Sequence, residues 1–113
     1  MIQRQYRLRK NSEFKKVYQH GKSAPSKYVV LYFKPNRRQK LRIGISVSKK
    51  VGGSVVRSRV KRILREAVRH HLGEIVPGVD IILIARGAIK GIKSTEVEQS
   101  LVKLLGKYRL LDR

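Results

Sequence analysis

Residues 54–69, SVVRSRVKRILREAVR, constrain this chain more than any other stretch. Val56, Val60, Ile63, Leu64, Ala67 and Val68 recur at i, i+4, i+7, i+8, i+11 and i+12, which is one apolar stripe on an α-helix. Side chains on a helix step round by about 100° per residue, so Arg57, Arg59, Lys61, Arg62, Arg65 and Arg69 fill most of the remaining circumference. A helix from about Val55 to Leu72 must therefore bury one side against another layer and leave a cationic side in solvent.

Strand-length apolar runs can supply that layer. KYVVLYF, residues 27–33, is β-branched and aromatic throughout. Alternation puts Val29, Leu31 and Phe33 on one face and Tyr28, Val30 and Tyr32 on the other, and the purely apolar set belongs in the core. LRIGISVS, residues 41–48, separates Leu41, Ile43, Ile45 and Val47 from Arg42, Gly44, Ser46 and Ser48. A third strand, VDIILIA, follows the Pro77–Gly78 turn. Two further helices are expected. One covers roughly residues 12–20, with Asn11 or Ser12 as N-cap, Phe14, Val17 and Tyr18 at helical spacing, and Gly21 at C′. The other starts at a Ser94 cap, with Glu96 and Glu98 placed as the helix dipole prefers, and reaches about Leu111. There is no repeat, linker or second domain, so residues 1–113 read as one α+β domain, an open sandwich with helices on one side of the sheet.

Charge narrows the function. Lys and Arg number 28 against 7 Asp and Glu, a net +21. Residues 1–65 hold 20 basic side chains and 1 acid, Glu13, whereas residues 66–113 hold 8 and 6. A one-sided cationic field repels itself and is useful only against a polyanion. The helix 54–69 contains a single acid, Glu66, and arginine outnumbers lysine five to one. Solvated faces mix signs, and arginine is the better bidentate phosphate donor. Its polar side is therefore expected to dock nucleic acid. Lys49 and Lys50, in the loop before the helix N-terminus, are suited to a phosphate, although KKVGGS is not a P-loop. Tyr28 and Tyr32, with Phe14 and Tyr18 if the first helix crosses that face, could form a groove where unpaired bases stack. Spacing alone allows equally that the tyrosines simply pack helix to sheet.

Catalytic constellations are absent from the sequence. The acids at positions 13, 66, 74, 80, 96, 98 and 112 form no paired-carboxylate motif. Glu66 and His70 make an i, i+4 helix pair, His70–His71 lacks companion ligands at metal spacing, and no Ser-His-Asp arrangement is recognisable. The chain lacks cysteine, as suits a reducing cytoplasm. MIQRQYRLRKNSEF has no apolar core, so a secretory signal is not expected, and no run is long enough to cross a bilayer.

LRIGISVSKKVGGSVVRSRVKRILREAVR, with RLRKNSEFKKVYQHGKS and IILIAR, resembles the bacterial ribonuclease P protein family over about the whole chain. Two positions depart from its pattern. Ser58 stands where an Asn is usual between the two arginines, and Gly53 where Asn commonly follows the first glycine. The resemblance implies an α-β sandwich with a mixed sheet and a left-handed βαβ crossover, against the usual right-handed rule. It implies the catalytic RNA of ribonuclease P as partner, met by Arg57, Ser58, Arg59, Lys61, Arg62, Arg65 and Arg69 with Lys49 and Lys50. It also implies a cleft for the single-stranded 5′ leader of precursor tRNA, built from Phe14, Val17, Tyr18, Val30, Tyr32, Lys61 and Arg65. Mg²⁺ would act through the RNA, with no metal ligand, no catalytic residue and no obligate protein partner for this chain. The rival readings are a ribosomal or assembly protein without a substrate groove, and a DNA-compacting protein.

Overall fold

In a computed structural model, residues 4–111 are described. The amphipathic helix forms as its periodicity requires: α2 spans Ser54–His70, with Val60, Ile63, Leu64, Ala67 and Val68 buried. Each such side chain contributes about 1.5–3 kcal/mol when removed from water. Its partner layer is a four-stranded sheet of β1 (Lys22–Pro25), β2 (Val29–Pro35), β3 (Arg42–Ser46) and β4 (Val79–Ala85), in the order β1-β2-β4-β3. β1 with β2 and β2 with β4 are antiparallel. β3 and β4 are parallel neighbours joined through α2, so the sheet is mixed and contains the βαβ unit the resemblance implied.

Alternation divides the strands between two layers. Val29, Leu31, Ile43, Ile81, Leu83 and Ala85 face α2 and α3 (Ser94–Lys107), where Val97, Leu101, Leu104 and Leu105 complete the main core. Ile82 points the other way, into a smaller cluster with Leu8 and Val17. Val17 belongs to α1 (Asn11–His20), so the helices do not all lie on one side of the sheet, as the sequence reading had them. A short helix's pattern shows that one side is apolar but not which sheet face receives it.

Several local expectations shift. β1 was not anticipated; it contains Pro25 and lies at the sheet's edge, where a missing N–H is tolerated. Neither Asn11 nor Ser12 caps α1. The Glu13 carboxylate accepts the Lys10 N–H at 3.1 Å instead. Gly21 is extended rather than left-handed (φ −88°). Glycine fits there because a Cβ would meet the Val17 and Phe33 carbonyl oxygens at 2.5 and 2.7 Å. Ser94 opens α3 as its first residue, after Lys93, and makes no side-chain cap.

The largest correction is Tyr28. Strand pairing begins only at Val29, because Ser26 closes a turn whose N–H and hydroxyl both donate to the Val29 carbonyl, the hydroxyl at 2.7 Å. Tyr28 thus falls outside the pleat. Its ring is buried in the main core, and its hydroxyl donates to the Glu96 carboxylate of α3.

Candidate nucleic-acid interface

The cationic side of α2 is open. Ser58, Arg59 and Arg62 are exposed, while Arg57, Lys61 and Arg65 are half-buried. Lys49 and Lys50 are exposed in the turn that precedes the helix. The described acids are engaged by other groups, although Glu66 of α2 and Glu98 lie beside Arg59 and Arg62. Glu13 and Asp80 bind Arg42, Glu66 binds Arg69, Glu98 faces His70 and His71, Glu74 faces His71, and Glu96 accepts from Tyr28. Asp112 lies outside the described residues. Among those residues, no ion pair reaches Arg57, Arg59, Lys61, Arg62 or Arg65. Arg69 differs from the rest of the set, holding Glu66 at 2.7 Å. The buried Nε of Arg57 has no hydrogen-bond partner among the described residues.

On the opposite sheet face, α1 and β2 bring three rings together. Phe14 and Tyr18 stand 6.4 Å apart and tilted, and Tyr18 meets Tyr32 edge-on at 5.0 Å. Tyr18 is 39% exposed. Burial, and then the neighbouring Tyr32 hydroxyl, push its phenol above the usual range, so it stays a neutral donor. Beside the rings a cleft of about 500 Å³ opens, lined by Leu8, Arg9, Phe14, Lys15, Tyr18 and Ser46 among others. The Phe14 ring itself rests on Gly44 of β3, where a Cβ would lie 2.5 Å from it. Val30 and Tyr32 share this face of β2, both half-buried. Val17 is fully buried beneath α1 and offers no surface to a ligand. Lys61 and Arg65 sit on α2, across the sheet, and neither lines the cleft. Arg9 and Lys15, at its mouth, were missed. Their signal was local, since both flank Phe14 on or just before the same short helix.

An ionic chain ties α1 to the sheet. The Arg42 guanidinium donates to both Asp80 oxygens, Nε to Oδ1 at 2.9 Å and Nη2 to Oδ2 at 2.7 Å, while Nη1 binds Glu13. Asn36 donates to Asp80 at 2.7 Å. Asp80 holds Arg42 above its ordinary pKa, against the opposing pull of burial, with Glu13 adding to the effect. For the Glu13 carboxyl, burial is countered by the Lys10 N–H and Arg42, which together hold it below the usual carboxylate range. Among the described residues there is no group of three or more His, Asp or Glu side chains that could hold a metal ion.

A model of the family described as Ribonuclease P matches residues 2–109. The chain belongs to the ribonuclease P protein family. It is 46% identical over 99 residues to the ribonuclease P protein component of Clostridioides difficile, covering 87% of each chain. A Staphylococcus aureus RNase P protein, solved as a mutant with defective mRNA degradation activity, superposes with TM-score 0.88 at 36% identity, covering 94% of this chain and 90% of that one. The RNase P protein from Thermotoga maritima gives TM-score 0.82 at 32% identity, covering 89% and 96%. As a ribonuclease P protein component, the chain has a role in tRNA 5′ processing, is part of an endoribonuclease holoenzyme and has an RNA partner. The ribosomal and DNA-compacting readings fall with this assignment. Among the described residues no helix is long and apolar enough to cross a membrane.

Proposed function

We propose that this protein docks the catalytic RNA of ribonuclease P with the cationic side of α2 and receives the 5′ leader of precursor tRNA in the aromatic cleft under α1. The observation that carries the reading is the pairing of carboxylates: all six described acids have partners other than Arg57, Arg59, Lys61, Arg62 and Arg65. Unmatched guanidinium groups on a rigid helix are positioned to replace phosphate counterions, and that release drives association with RNA. Ser58, between Arg57 and Arg59, offers one hydroxyl to the RNA. Lys49 and Lys50 extend the same field toward the start of α2.

Phe14, Tyr18 and Tyr32 give unpaired leader bases faces and edges to stack on, a contact worth about 1–3 kcal/mol per base and indifferent to sequence. Val30 continues that surface along β2, and Arg9 and Lys15 draw the leader backbone to the mouth. Lys61 and Arg65 steer the leader from the sheet's far side. The chain contributes no catalytic residue. Hydrolysis belongs to the RNA with its Mg²⁺, and the protein's cations lower the repulsion among phosphates gathered there. This division needs no protein-bound cofactor, no obligate protein partner and no disulfide, and it suits the cytoplasm.

Reconstitution tests the proposal. Added to the catalytic RNA at low Mg²⁺, the chain should accelerate leader removal, and alone it should cleave nothing. Tyr32→Ala or Phe14→Ala should weaken binding of precursor tRNA and spare mature tRNA. Absence of acceleration, or equal weakening of both tRNAs, defeats the respective half.

A further inference from the structure

α1 carries Phe14 and Tyr18, the two rings that line the cleft, yet little apolar surface holds it down. The cluster beneath it contains three buried residues, Leu8, Val17 and Ile82, with Phe14, Tyr32 and Ile84 packed round them. A ten-residue helix is not stable by itself in water. What fixes its N-terminal end is Glu13, which binds the Arg42 guanidinium with one oxygen and accepts the Lys10 N–H, and more weakly the Arg9 N–H at 3.4 Å, with the other. Arg42 in turn is held on the α1 face of the sheet by Asp80 through two parallel bonds. The side chains of Glu13, Arg42 and Asp80 are only 20%, 14% and 7% exposed, so water screens the chain weakly. Glu13 is one residue from Phe14, and Arg42 is two residues from Gly44, against which Phe14 rests. The network therefore adjoins the cleft in sequence, through α1 at Glu13–Phe14 and through β3 at Arg42–Gly44.

We propose that Arg42 is a positioning residue for substrate recognition: bridging Asp80 of β4 to Glu13 of α1, it sets the height and angle at which Phe14 and Tyr18 meet the leader. This rests on the leader-binding role of the cleft. Arg42 is not expected to touch RNA, because its guanidinium is directed at the two carboxylates. Its action runs through α1, so its loss should disturb leader recognition while leaving α2 docked to the catalytic RNA.

The holoenzyme assembled with Arg42→Lys tests this, since lysine keeps the charge and loses the two-pronged grip that joins the carboxylates. Precursor tRNA with a full leader should bind more weakly by about the worth of one stacked base, on the order of tenfold. Affinity for precursor with a one-nucleotide leader, and for the catalytic RNA, should stay at the unmodified level. Combined with Tyr18→Ala, the Arg42→Lys loss should shrink, because the ring it positions is gone. Amide exchange across residues 11–20 should quicken in the free protein, with the melting of α2 and α3 little changed. If exchange quickens but leader affinity holds while Tyr18→Ala lowers it, the positioning role is refuted and the cleft stands. If Tyr18→Ala is itself neutral, the cleft reading fails and takes this role with it. Full additivity of the two losses, or equal loss on both substrates, also overturns the proposal.

Discussion

Replacing Gly44 with alanine should separate the fold from the cleft. A Cβ at Gly44 lies 2.5 Å from Phe14 Cζ and 2.7 Å from Cε2, whereas carbons prefer about 3.5–4.0 Å. The ring tip must retreat by about 1 Å to restore contact distance. It is free to do so, since only the far edge of a half-buried side chain stands in the way. Pushing the ring off its rotamer costs about 0.5–1.5 kcal/mol. Alanine in place of glycine returns about 0.4–1 kcal/mol by narrowing the unfolded ensemble, because nothing at Gly44 demands a left-handed backbone. The two nearly cancel, so stability should change by less than about 1 kcal/mol. In melting temperature that is below about 8 °C. The cleft has no such compensation. With Phe14 displaced toward Tyr18, precursor tRNA should lose about 1–3 kcal/mol of leader binding, the worth of one stacked base. Thermal melting of the free protein and equilibrium binding of the holoenzyme to precursor and mature tRNA measure the two effects separately. A folded variant that binds leader at full strength would refute the reasoning, as would a stability loss above about 3 kcal/mol, the upper range for overpacking a core.

Each cation of α2 without an ion pair among the described residues should register in salt dependence: Arg62→Ala should flatten the slope of log affinity for the catalytic RNA against log salt by about 0.7–0.9. Arg69→Ala should flatten it less, because Arg69 already holds Glu66, and equal effects would contradict the pairing. His71 faces Glu74 at 2.8 Å through Nδ1 and Glu98 at 2.9 Å through Nε2. Both ring nitrogens must then donate, which raises the His71 pKa through Glu74 first, against burial, with Glu98 assisting. That stabilisation is complete below the unfolded value of about 6.5 and lost as pH rises through the higher folded one, so the urea midpoint should decline from about pH 6.5 upward. In His71→Gln the decline should flatten. Leu64→Ala, at a fully buried position of α2, should destabilise by about 2–5 kcal/mol in urea titration.

Legibility in the sequence tracked whether local pattern and tertiary demand agreed. The α2 stripe was readable because periodicity, burial and charge all specify one helix orientation, and the same holds for the alternation of Ile43 and Ile45 against Gly44. β1 was not, since Lys22-Ser23-Ala24-Pro25 has no strand preference and is extended through its antiparallel pairing with Val30–Phe33 of β2. Tyr28 misled because an unbroken apolar run concealed the Ser26 turn. The Arg42–Asp80 pair spans 38 positions and has no local signature. A rule could still have found it: an acid inside a buried strand such as VDIILIA requires a partner, and Arg42 is the cation on the matching face of β3. Within the cleft, residue type and parity brought Phe14, Tyr18 and Tyr32 together. The burial of Val17 depends on how closely α1 approaches the sheet, which no sequence pattern encodes.

The two faces of the sheet are held by different forces, and this bears on how the protein works. α2 and α3 rest on a broad apolar core, which salt does not screen as it screens charge pairs. The docking side of α2 therefore stays rigid while its charges meet RNA. α1 rests on three buried residues and an ionic chain that includes Glu13, the single acid among residues 1–65. Its attachment is correspondingly thin, so α1 should sample released positions more often than α2. A ligand that binds only when α1 is seated stabilises the seating by mass action. Leader binding and α1 docking are then one linked equilibrium, and saturating holoenzyme with precursor tRNA should slow amide exchange in residues 11–20 more than mature tRNA does. Equal protection by both tRNAs would sever that link.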